Sequence, residues 1–160
     1  MPPFVPVLMP THIDNEYDGP RAGLWLFAVT VALKLIIGTN SAINTRAVAS
    51  GADGLAVDGH VAGADTILSL FALLGMGQLT LGLLGLVVLI RYRRMIPLLF
   101  LLFLIDHLGR KALATMHPVE ASSSPVGFYI NTTLLTIMVV GFALSLTRRR
   151  LTKPKSSSSA

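Results

Sequence analysis

Residues 62–90 read AGADTILSLFALLGMGQLTLGLLGLVVLI, and between Asp65 and Arg91 no side chain carries a charge. A helix crosses a hydrocarbon core of about 30 Å with about 20 mostly apolar residues. This stretch exceeds that length, so it predicts a membrane-spanning helix that tilts or protrudes. Working outward, three further apolar blocks of span length follow the same logic, at about 22–44, 94–116 and 125–147. The chain is 52% hydrophobic and only 13% charged, against about 25% charged in soluble domains. The fold this predicts is all-α: a polytopic membrane protein with a four-helix transmembrane bundle in up-down-up-down order, which short connections favour.

Local punctuation places the ends. Asp18-Gly19-Pro20 supplies a capping residue and a first-turn proline for helix one,. Ser124-Pro125 repeats that arrangement for helix four, and Pro97 falls in the first turn of helix three, where proline is tolerated,. Residues 1–21 form a short acidic arm with His12, Asp14, Glu16 and Asp18. Residues 45–61 read as a Gly/Ala/Asp-rich loop, 91–93 as a tight basic turn, and 117–124 as a Pro/Ser segment. Residues 148–160 form a basic, serine-rich tail expected to be disordered,. The opening MPPFVPVLMP lacks a positive n-region and does not read as a signal peptide,.

The net charge of +5 does not signal nucleic acid, because the basic residues cluster beside apolar blocks rather than on a face interleaved with aromatics. With both termini inside, nine cations fall on the cytoplasmic side: Arg21, Arg91, Arg93, Arg94, Arg148, Arg149, Arg150, Lys153 and Lys155. Only Arg46, Arg110 and Lys111 fall outside. This excess predicts a membrane protein with both termini cytoplasmic. Trp25 and Tyr92 then mark the inner interface, Phe128 and Tyr129 the outer one. The absence of cysteine excludes disulfides, thiolate metal sites and thiol redox chemistry,.

The informative residues are polar ones in apolar blocks. Lys34, Gln78 and Asp106 each fall at a depth of about 18 Å from the inner boundary at 1.5 Å per residue, on three different helices. A lone Lys or Asp at the centre of a span costs roughly 2.5–3.5 kcal/mol, so these groups are expected to face inward and find partners. The leading expectation pairs Lys34 with Asp106, with Gln78 nearby; the competing one pairs Asp106 with Arg110, four residues on. Thr30, Lys34, Ser41 and Asn44 form one stripe on helix one. Gly75, Gln78, Gly82 and Gly85 form a small-residue packing face on helix two, and Thr133 and Thr136 offer hydrogen-bonding contacts from helix four. Two readings of the Lys34–Asp106 pair stay open, a structural register lock or a functional group.

His107 sits in the same layer, but bis-histidine haem requires a second intramembrane histidine and none exists. His60 and His117, with Asp58 and Glu120, match no metal-site spacing and read as solvated surface. Asn131-Thr132-Thr133 matches the glycosylation pattern inside an expected span and is set aside. No nucleotide loop, nucleophile elbow or HExxH motif is present, so no catalytic residue, metal or cofactor is assigned.

Four spans over residues 22–147, with Lys34 near Gly38, resemble the DoxX-like group of small bacterial membrane proteins. Some members of that group act as membrane subunits of redox or quinone-linked systems; the resemblance implies a bacterial inner (cytoplasmic) membrane location, and no residue role is carried over from it. Two functions are expected from different classes. One is a non-enzymatic accessory or assembly subunit of a larger membrane complex, partnered by other membrane subunits. The other is a small membrane enzyme or carrier for an apolar molecule, a quinone or lipid. Its polar head would sit among Lys34, Gln78, Asp106, His107 and Arg110, in a pocket opening outward beside Asn40 and Asn44.

Overall fold

A computed structural model describes residues 15, 17, 19–51, 63–116 and 125–147. Within them the chain is all-helical: α1 (Arg21–Ile43), α2 (Thr45–Gly51), α3 (Ala64–Arg91), a 3-10 turn (Arg93–Met95), α4 (Ile96–Met116) and α5 (Pro125–Leu146). The acidic arm of His12, Asp14, Glu16 and Asp18, the surface residues Asp58, His60, His117 and Glu120, and the basic tail lie outside the described residues.

Three helices are long and apolar enough to cross a membrane: α1, α3, and α5 from Gly127 onward. α4 has the length but gathers Asp106, Arg110 and Lys111 in its second half. Large apolar side chains cover the outer faces, among them Trp25, Ile36, Leu73, Val87, Ile105 and Val139, all more than two-fifths exposed. A surface of that kind suits acyl chains and marks a membrane location.

α1 is the hub, packed along α3 for its length and against α5, while α4 lies chiefly on α5. The α1–α3 seam is drawn together by glycine. A Cβ on Gly38 would stand 2.6 Å from the Leu79 amide nitrogen, and one on Gly75 would stand 2.7 Å from that of Ala42. Gly82 meets Leu35, and Gly85 meets Val31 and the Phe103 ring. As α1 rises through 31, 35, 38 and 42, α3 falls through 85, 82, 79 and 75, so the helices run antiparallel in close contact. Gly141 on α5 receives the Phe100 ring of α4 in the same manner.

Three local expectations are corrected. The stretch after Asn44 is not loop throughout: Thr45–Gly51 forms a helix, with Ala49 wholly buried, and packs on α1 and α3. The N-cap of α1 is Pro20 in extended conformation, with no side-chain cap. Thr133 and Thr136 point away from the bundle; the Thr136 hydroxyl donates to the Thr132 carbonyl at 2.9 Å in its own helix. The inward face of α5 is instead Leu134, Met138, Gly141 and Ser145.

The core occupies the half of the bundle beside the arginine turn. Phe27 stands edge-on to Phe100 (centroids 5.1 Å apart) and stacks on Phe103 (5.9 Å, 7° between planes). Val31, Val88, Ile96, Leu99, Leu134 and Met138 close around them. At the same end the Tyr17 ring lies over Gly19 and Gly23. Its hydroxyl is buried with no hydrogen-bond partner, and burial pushes its pKa up to about 12.

Candidate functional site

Directly beyond the aromatic core the interior turns polar. Lys34 on α1 is wholly buried, its Nζ 5.0 Å from the centroid of the Phe103 ring that floors it. That Nζ donates to Asp106 Oδ2 at 2.9 Å and to Gln78 Oε1 at 3.3 Å. Arg110 Nη2 donates to the same Asp106 oxygen, also at 2.9 Å, and its Nε reaches the Asp106 carbonyl at 3.4 Å. The two arrangements that the sequence presents as rivals therefore coexist. One carboxylate oxygen serves two cations on two helices, α1 and α4, with an amide from α3 beside them.

The sequence places these groups by simple spacing. Asp106 and Arg110 are one turn apart on α4 and share a face. Gln78 lies on the glycine seam of α3, where Gly75 and Gly82 bring that backbone close enough for its amide to reach Lys34. Thr30, one turn before Lys34, spends its hydroxyl on the Leu26 carbonyl at 2.8 Å and takes no part.

Cavities surround the cluster on the side away from the core. One of about 360 Å³ is bordered by Asn40, Ser41, Gly75, Gln78, Arg110 and Asn131. A second, of about 520 Å³ between α4 and α5, is bordered by His107, Arg110, Lys111, Phe128, Asn131 and Thr132. A third, about 740 Å³, is an open groove between α3 and α4, from Leu70 to Leu81, with Asp106 and Arg110 behind it. Arg110 and Leu74 border all three.

Of the expected site residues, Lys34, Gln78, Asp106 and Arg110 meet directly, Asn40 borders the inner cavity, and His107 is buried against the second one. Asn44 does not join them. It is exposed and donates through Nδ2 to Asn40 Oδ1 at 2.7 Å, beside a separate shallow groove. Gly75, Gly82 and Gly85 stand on the seam that carries Gln78. Asn131 and Lys111 are cavity residues that sequence reasoning passed over. Asn131 was hidden behind the glycosylation pattern and Lys111 behind its place near a helix end. Among the described residues no group of histidines and carboxylates is arranged to hold a metal ion.

Chemically the cluster is an ion-paired group of two cations and one carboxylate beside partly open cavities, and it can orient and hold a polar group. Compared with protein-family models, curated proteins and solved structures, the chain matches none of them.

Proposed function

We propose that this chain is a four-helix transmembrane bundle that binds an amphipathic small molecule of quinone or lipid class, with the ligand's polar head held beside Lys34, Asp106 and Arg110. The observation that carries this is a charged cluster bordered by partly open cavities, within a bundle whose outward faces are apolar. Concave, mostly apolar sites with a few convergent polar groups are where small ligands bind. Ionisable groups at membrane depth point the same way.

α4 completes the count of spans despite its charges. Its first half is buried against α1 and α5, and Asp106 is neutralised by Lys34 from a helix of span length. Asp106 lies about 15 Å beyond Ile96 at 1.5 Å per residue. Arg110 and Lys111 fall about 6–8 Å further, where long cationic side chains snorkel to a headgroup layer. The Lys and Arg distribution favours both termini in the cytoplasm and the cavities towards the outer leaflet.

The test is gentle purification of the full chain, followed by extraction and mass spectrometry of retained small molecules. The expected result is an amphiphile retained near one per chain, and retention lost when Asn131→Leu and Asn40→Leu fill the inner cavity. A folded, homogeneous protein that releases no small molecule, but travels with other membrane subunits, would replace this function with the accessory-subunit one.

A further inference from the structure

We infer that the polar head taken by this site is anionic, so that the ligand is an acyl-chain amphiphile carrying a carboxylate or phosphate, bound by Arg110 and Lys111 in the cavity between α4 and α5. This rests on the ligand-binding function proposed above and narrows its substrate class.

Charge counting comes first. Lys34 and Arg110 both bind Asp106 Oδ2, and among the described residues no second carboxylate meets the cluster. Among the described residues, two cations against one anion leave a net positive charge, and Lys111 adds another on the border of the same cavity. His107, buried on that border, has Arg110, Lys34 and Lys111 as its charged neighbours, with Asp106 the lone acid among them. Arg110 is 30% exposed and Lys111 is exposed on the cavity border, so this positive charge is open to an approaching ligand anion, which would pair with it. A neutral quinone head would not.

Donor geometry comes second. A guanidinium has five N–H groups in a planar fork suited to carboxylate and phosphate oxygens. Arg110 spends two of them, Nε and one on Nη2, on Asp106. The others have no acceptor among the described residues, and the side chain borders every one of the three cavities described. Asn131 and Thr132 stand across the cavity from it as neutral donors.

Shape comes third. The rest of that cavity is lined by Leu74, Leu113, Ala114 and Phe128, and the neighbouring groove along α3 is walled by Leu70, Leu73 and Leu81. A free inorganic anion would leave this apolar wall unmatched. A head joined to a hydrocarbon tail satisfies both parts, with the tail lying along surface that already faces acyl chains.

The experiment uses the full chain in zwitterionic nanodiscs, with the fluorescent fatty acid parinaric acid as probe. Oleate, methyl oleate, phosphatidylglycerol and a long-chain ubiquinone serve as competitors. Charged heads are expected to displace the probe at least ~10-fold better than methyl oleate or the quinone, since charge-assisted hydrogen bonds discriminate by about that factor or more. Displacement by oleate alone assigns a carboxylate, and displacement by phosphatidylglycerol a phosphate. Arg110→Gln is expected to weaken binding ~10- to 100-fold. Lys111→Gln, at an exposed position outside the ion-paired cluster, should weaken it ~3- to 10-fold at unchanged melting temperature. If methyl oleate or the quinone competes as well as oleate, the anionic inference falls and the amphiphile-binding function stands. If neither the probe nor the quinone binds the folded protein, both fall.

Discussion

Replacing Asp106 with asparagine removes the one carboxylate that Lys34 and Arg110 share, and the cost follows from the geometry. Each cationic nitrogen lies 2.9 Å from the same oxygen, so the two are at most about 5.8 Å apart. At an effective dielectric constant of about 20, two like charges at that separation repel by about 3 kcal/mol. The lost hydrogen bonds add to this. Replacing Lys34 with methionine is different in kind. Asp106 keeps Arg110, and the repulsion disappears along with one attraction; removing one partner is costly where it leaves a buried charge uncompensated, and here Arg110 still compensates Asp106. Asp106→Asn is therefore expected to destabilise by roughly 3 kcal/mol or more, a shift of about 100-fold in the unfolding equilibrium. Lys34→Met should cost clearly less than Asp106→Asn, because it leaves no unpaired charge behind. Denaturation of the purified chain in mixed micelles of increasing SDS content, with each variant compared to the parent, reads the difference. Equal destabilisation by the two substitutions would refute the shared-carboxylate account, because it would mean that Lys34 and Asp106 form an isolated pair and Arg110 contributes nothing.

Two further outcomes follow from packing and burial. Gly38→Ala and Gly75→Ala each drive a methyl group into opposing backbone and should cost about 1–3 kcal/mol in the same titration. Gly77→Ala, with nothing within 4 Å, should be neutral or slightly stabilising. Tyr17 titrates at about 12 when folded against an ordinary value of 10.0. The neutral phenol is favoured by the folded chain, so the stability linked to it is complete below pH 10 and drains away as pH climbs towards 12. Melting curves across that interval should fall for the parent and flatten for Tyr17→Phe. That variant also relieves a buried hydroxyl lacking a partner, so below pH 10 it should melt no lower than the parent; a lower melting point would contradict the buried-hydroxyl assignment.

The depth of the polar layer was legible in the sequence because lipid makes charge conspicuous. Counting along three apolar blocks brought Lys34, Gln78 and Asp106 to one level, and no packing detail was needed. The glycine seam was legible for a similar reason, since small residues at steps of three and four have few other uses in a span. Side-chain sharing was not. Whether Asp106 chooses Lys34 or Arg110 depends on rotamers and on how closely α1 approaches α4, and the answer, both on one oxygen, comes only from coordinates. Asn44 misled by angular drift: ten residues from Lys34 at about 100° each leave it roughly 80° off the inward face, whereas Ser41 stays within about 20°. Thr133 and Thr136 misled because a helical hydroxyl can satisfy itself on its own backbone and so says little about which way a helix faces. The helix at Thr45–Gly51 was masked by the glycine-rich sequence that follows it, and the burial of Ala49 is a tertiary fact.

The stacked rings of Phe27, Phe100 and Phe103 have a consequence for traffic. They close the interior just beneath Lys34, so the cavities around Arg110 all lie on one side of the aromatic core. A conduit between the two faces of the membrane would require those rings to part, and the ammonium resting on one of them would have to give up its seat each time.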